Sequence, residues 1–134
     1  MKIRTDHYAL PMETAFAELL TSELAQTTTS NDASITVLNF RDPDYSAQHG
    51  GYHPVEIGVG MDGGIIYITE FSFVGGGGMA ELAKEIDFDF LSGVFQHFDR
   101  VHPIEAGIEL FEIWQQNFCH YAKSGIYDVS VTQH

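Results

Sequence analysis

The sequence predicts an α+β domain, an antiparallel sheet of four to five strands with two main helices packed on one face. Three observations carry this reading. Residues 65–74, Ile-Ile-Tyr-Ile-Thr-Glu-Phe-Ser-Phe-Val, are apolar on both sides of a two-residue repeat, the pattern of a central strand covered on both faces. Asp62-Gly63-Gly64 just before them supplies a tight hairpin turn, so the strands it joins run antiparallel. Two stretches, about 11–26 and about 103–123, place apolar residues at sustained helical spacing. The 134 residues read as one domain, 1–134, without repeat or linker.

In chain order, Met12, Phe16, Leu19, Leu20 and Leu24 make the stripe of the first helix, with Pro11 near its start. The polar stretch Thr27 to Asp32 ends it. Ser34 to Phe40 alternates as a strand, and Pro54 to Met61 is a second, with Val55, Ile57 and Val59 on one face. Residues 65–74 form the third. Four glycines, Gly75 to Gly78, follow, and Met79 to Glu85 reads as a short helical turn. Ile86 to Phe90 alternates as a short strand. Pro103 opens the second helix, whose stripe of Ile104, Ile108, Phe111, Trp114, Phe118 and Tyr121 is widened by Leu110 and Ile113. Gly125 stops it, and Ile126 to Thr132 closes the chain as a strand.

Composition excludes several classes. Nineteen acidic residues against six basic ones give a formal charge of −13, which repels phosphate backbones and argues against direct nucleic-acid binding. The single cysteine, Cys119, forms no internal bridge and reads as a small buried residue. Met1 to Pro11 has no continuous apolar stretch, and no run approaches the length of a membrane span. The expectation is a cytoplasmic protein with no membrane partner.

The chemistry-bearing residues each have a plain structural explanation. Strand, glycines and a short helical turn resemble a phosphate-cradling loop, but no crossover helix or Lys-Ser/Thr follows, so a flexible loop is the reading. Glu85, Asp87 and Asp89 could form an acid–base or cation-binding ladder; as the solvated face of a strand whose other face is Ile86, Phe88 and Phe90 they need no function. His49 and His53, near Asp42 and Asp44, could hold a metal, yet the intervening Gly50 and Gly51 disfavour the helix that spacing wants. No metal, cofactor or catalytic residue is therefore assigned. Glu70 stands out because it interrupts an apolar face between Ile68 and Val74: in a pocket it would be a desolvated carboxylate of raised pKa, but a strand end emerging into solvent makes it an ordinary surface acid, and that is the reading.

Several strings carry a family resemblance: Asn39-Phe40-Arg41-Asp42, His53-Pro54-Val55-Glu56-Ile57, Ile68-Thr69-Glu70-Phe71-Ser72 and Glu81 to Phe90, with Glu109-Leu110-Phe111 and Trp114 to Phe118. Over about residues 34–132 the chain resembles an uncharacterised bacterial family of short acidic proteins, found mainly in marine gammaproteobacteria and in mobile DNA, including integron gene cassettes. The resemblance implies kinship of fold and genomic setting and transfers no catalytic residue.

The leading functional expectation is a non-enzymatic module that binds a small ligand or a protein. Its contact residues would be Arg41, Tyr45, Tyr52 and His53 from the long loop 41–53, together with Glu70. The apolar excess of the central strand and second helix predicts self-association as a homodimer. Two alternatives stand beside it: a hydrolase or isomerase using Glu70, Asp87 and Asp89 in a pocket, and an acidic decoy for a basic protein.

Overall fold

A computed structural model describes residues 1–27, 30, 32–75 and 79–134. Its elements are α1 (Thr14–Ala25), β1 (Ile35–Arg41), β2 (Val55–Gly60), β3 (Ile65–Val74), β4 (Glu81–Asp89), β5 (Val94–His97), β6 (Arg100–Pro103), α2 (Ile108–Lys123) and β7 (Asp128–Gln133). All strands join one antiparallel sheet in the order β6-β5-β4-β3-β2-β1-β7, with β3 at its centre. The α+β class and the central strand agree with the sequence reading. The strand number does not: the sheet has seven strands, not four to five.

The two additional strands are the β5–β6 hairpin, and β4 is longer than the sequence reading has it. Met79 to Glu85 consists of good helix formers, yet Glu81 onward continues as β4, pairing Val74 with Glu81, Phe73 with Leu82 and Ser72 with Ala83. A ten-residue β3 exposes an unpaired ladder unless its neighbour is as long, and that tertiary demand overrides propensity. The β5–β6 hairpin has only four residues in each strand, and Phe98 takes the positive φ of 55° where glycine or asparagine would have marked the turn. The second helix also starts later than Pro103, because Ile104–Gly107 forms a 3-10 turn first.

Both helices bury their apolar stripes in one core. Phe16, Leu20 and Leu24 from α1 and Phe111, Trp114 and Phe118 from α2 meet Leu38, Ile57, Ile68 and Phe88 from the sheet. Each such side chain contributes about 1.5–3 kcal/mol when fully removed from water. Gln115, fully buried on α2, accepts the Glu13 N–H and donates to the Pro11 carbonyl, locking the start of α1 to the second helix. Between β2 and β3, Gly63 has φ +82°, and an added side chain there would strike the Lys2 carbonyl. Only glycine fits.

The alternation read along β3 is broken at Ile66, which is left without a register partner because Gly58 of β2 pairs with Tyr67 and Val59 pairs with Ile65. Ile65 and Ile68 are consequently both in the core, whereas Ile66 is half-buried beside Tyr67 and Thr69 on the face without helices. On that face Tyr67 donates its hydroxyl to Glu56 and Thr69 donates to Asp87. Gly76, Gly77 and Gly78, which carried the phosphate-loop comparison, lie outside the described residues.

Candidate functional site

The loop from β1 to β2 is organised by one carboxylate. Asp42 accepts the Asp44 N–H at Oδ1 and the Tyr52 N–H at Oδ2, which draws the two ends of the loop together. Both Asp42 oxygens thus serve backbone N–H groups within the loop. The chain passes Tyr45 at Gly51, where φ is +128° and a Cβ would sit 3.0 Å from the Tyr45 Cα. His53 then precedes Pro54, which favours extended backbone at His53.

Two strands deliver carboxylates to His53. Glu70 comes from β3, its Oε2 3.3 Å from His53 Nδ1. Glu85 comes from β4, its Oε2 3.2 Å from the same nitrogen. In the β3–β4 ladder Glu70 opposes Ile86 and Phe71 opposes Lys84, so Glu85 is the unpaired residue of a bulge. A bulge bends its strand and re-aims a side chain. Glu85 accordingly meets His53 and Glu70, while Asp87 bonds Thr69 and Asp89 accepts the Ser92 N–H. The three acids do not form a ladder.

From α2, Trp114 donates its indole N–H to the other oxygen of Glu70 at 3.1 Å. Burial pushes the Glu70 carboxyl up to about 7, helped by the neighbouring Glu85 and opposed by the Trp114 bond and by His53. Desolvation is the leading cause. Glu70 thus holds its proton well above the range of an exposed glutamate.

His53, Glu70 and Trp114 line a cavity of about 400 Å³ between α2, the His53 segment and the chain before β7. Its walls are aromatic. Trp114 stacks on Phe118 with centroids 5.1 Å apart, Phe118 on Tyr127 at 5.6 Å, and Tyr52 leans on Tyr121 at 4.7 Å. Burial also raises the Tyr127 hydroxyl above its ordinary value, so Tyr127 stays a neutral hydrogen-bonding group. Asn117 adds a polar group, and Leu110 and Ile113 complete the apolar wall.

Of the expected contact residues, Tyr52, His53 and Glu70 line this cavity together. Tyr45 supports it from behind, its ring 5.3 Å from His53 and 5.0 Å from Phe73, its hydroxyl accepting the Phe73 N–H. Arg41 is elsewhere, lining a separate hollow with Asp42, Pro43 and Asp128. His49 stays exposed in the loop, apart from the His53 cluster. Asp87 and Asp89 line a hollow on the other face, so the Glu70–Asp87–Asp89 set is not assembled. Sequence reasoning considers Glu85 only as part of a ladder with Asp87 and Asp89 and reads it as a solvated strand face; it keeps Trp114 and Tyr121 as helix stripe and assigns no site role to Tyr127 or Asn117. The i, i+4, i+7 series Trp114, Phe118, Tyr121 was the available signal.

A family profile described as a protein of unknown function, DUF2787, matches residues 14–132. The chain belongs to this family. The DUF2787 match includes α1 and so begins well before the residues that carried the sequence resemblance. Two solved structures extend the comparison. The hypothetical protein VC0508 from the VSP-II pathogenicity island of Vibrio cholerae is 32% identical with a TM-score of 0.82, over 96% of this chain and 99% of that one. The conserved hypothetical protein VC1805 from the pathogenicity island VPI-2 of Vibrio cholerae O1 biovar eltor is 36% identical with a TM-score of 0.78, over 95% and 98% of the two chains. That second protein is described as sharing structural homology with the human P32 protein. No curated protein matches the chain.

Proposed function

We propose that this DUF2787 protein is a binding module for a small, ring-bearing organic ligand, held in the cavity between α2 and the His53 segment. The observation that carries the reading is the cavity itself: about 400 Å³, walled by Tyr52, Trp114, Phe118, Tyr121 and Tyr127, with His53, Glu70 and Asn117 as polar groups in its lining. Ligand sites commonly have this volume and this division between apolar walls and a few convergent polar groups. Stacked rings favour a flat ligand, and Asn117, His53 and Glu70 would fix its orientation. Both solved relatives come from pathogenicity islands, which supports a gene carried on mobile DNA.

A panel of one- and two-ring aromatic fragments, screened by saturation-transfer NMR and thermal shift, tests the proposal. Binders should raise the melting temperature and lose their signal in Asn117→Trp, which fills the cavity. Fragments that bind the wild type and the Asn117→Trp variant equally would refute this site.

Self-association is a second reading, supported by the sheet face that carries no helix. Ile66, Tyr67 and Phe71 lie half-buried there, with Leu91 exposed at 83% of its surface. A second copy is the occupant this reading requires. Light scattering on Phe71→Lys against wild type decides it: a dimer that dissociates supports the face, and a wild-type monomer removes it.

A further inference from the structure

Beside the cavity, three metal-ligating side chains from three separate segments come together. His53 Nδ1 lies 3.3 Å from Glu70 Oε2 and 3.2 Å from Glu85 Oε2, and one ligand atom from each residue falls within 4.8 Å of the other two. We infer that His53, Glu70 and Glu85 together form a site for one divalent transition-metal ion of the zinc class. Two ligand atoms each about 2.0–2.1 Å from a tetrahedral ion stand about 3.3–3.4 Å apart, which is the spacing around His53 Nδ1.

Geometry beyond the spacing points the same way. Glu85 reaches the cluster only because a bulge takes it out of the β3–β4 ladder, a device enriched beside functional sites. Pro54 restrains the backbone of His53 from the following position. Trp114 holds Glu70 Oε1 and leaves Oε2 facing the imidazole, the arrangement by which an outer hydrogen bond orients a metal-bound carboxylate. The side chains of His53, Glu70 and Glu85 are 34%, 20% and 20% exposed, so they are sheltered yet reachable. His53 and Glu70 also border the cavity, which gives an ion a way in and leaves a coordination position for water or a ligand group.

The donor set selects the ion. One imidazole nitrogen and two carboxylate oxygens suit Zn²⁺ and its first-row neighbours, whereas Ca²⁺ and Mg²⁺ favour oxygen alone. Two carboxylates balance the charge of a divalent ion. Metal binding shares His53 and Glu70 with the organic-ligand reading, but it is tested separately, because the metal alone can be measured.

The full-length protein, stripped with a chelator, is titrated with ZnCl₂ by calorimetry and with CoCl₂ by visible absorption. Trp114, the chain's single tryptophan, provides a fluorescence signal beside the cluster. The expected result is one ion per chain, intense cobalt bands of a low-coordinate site, and a change in Trp114 emission. His53→Gln and Glu85→Gln should each weaken binding by more than about tenfold, while His49→Gln leaves it unchanged. If His53→Gln does not fold, Glu85→Gln decides alone, since it keeps the shape of the side chain. Absence of binding at micromolar zinc, or binding that survives Glu85→Gln with Trp114 emission constant, overturns the site.

Discussion

Trp114 and Glu70 are joined by a hydrogen bond of 3.1 Å that runs from the buried stripe of α2 to the central strand of the sheet. The bond has a direction. An indole N–H donates only, so it favours the charged carboxylate, while burial and the nearby Glu85 favour the protonated one. Burial wins, and Glu70 is raised. Both residues line the aromatic cavity, and the contact leaves the second Glu70 oxygen toward His53.

The pH dependence of stability follows from that balance. Glu70 titrates at about 7 in the native protein against 4.5 as its ordinary value, so between those pH values the native state binds more protons than the unfolded one. Stability must then fall as pH rises through this window and level off above it. With the side chain 20% exposed, the loss is on the order of 2–3 kcal/mol. Glu70→Gln cannot ionise and should escape it. Urea denaturation of metal-free wild type and variant at pH 4.5, 6 and 8 measures the difference, which should grow in the variant's favour with pH. A constant difference would count against a desolvated Glu70.

Trp114→Phe tests the opposing influence. Removing the N–H takes away a group that favours the carboxylate, so the Glu70 window should move to higher pH. The ring stacking on Phe118 is largely retained, which limits the packing cost to about 1–2 kcal/mol. Denaturation followed by circular dichroism across the same pH series should show the stability drop completing later than in the wild type. A shift to lower pH would reverse the assigned sign.

What the sequence made legible depended on whether the signal was local. The limits of β3 matched because the apolar run and Asp62-Gly63-Gly64 are both contained in one stretch of chain. β4 did not, because Met79 to Glu85 has helix-forming composition and becomes strand only through pairing with β3. The site divides in the same manner. Tyr52, His53 and Glu70 stood out as loop aromatics before a proline and a lone acid in an apolar strand, and the fold gathers them. Glu85 joins through a bulge, which is a property of two strands in register and leaves no mark in one of them. Tyr121 and Trp114 were visible only as part of an amphipathic stripe, since a helix that walls a cavity has the same periodicity as one that fills a core.

Gln115 should prove essential to the attachment of the first helix. It is fully buried, and its amide serves the Glu13 N–H at 3.0 Å and the Pro11 carbonyl at 3.0 Å. Gln115→Leu preserves volume but leaves both backbone groups without partners, at a cost of about 2–4 kcal/mol. Hydrogen exchange should report the loss first at the start of α1, with the amides of β2 and β3 protected as before. Unchanged exchange at Glu13 and its neighbours would show the clamp to be dispensable.

Gly58 and Tyr67 form a cross-strand pair on the face without helices, and the pair can be taken apart by a double-mutant cycle. They are register partners in β2 and β3, and the tyrosine ring lies over the glycine where a Cβ would overlap it. The ring is held there by its hydroxyl, which donates to Glu56 at 2.6 Å; burial first and this contact second raise the hydroxyl above its ordinary pKa. Gly58→Ala should therefore displace the ring and break the Glu56 bond, destabilising the protein by about 1–3 kcal/mol. In a Tyr67→Ala background the same substitution has no ring to displace, and an alanine in a strand is no worse than glycine. The coupling between the two changes should reach about 1 kcal/mol or more. Additive effects in urea denaturation would mean that the ring swings aside freely, and that Glu56 does not hold it.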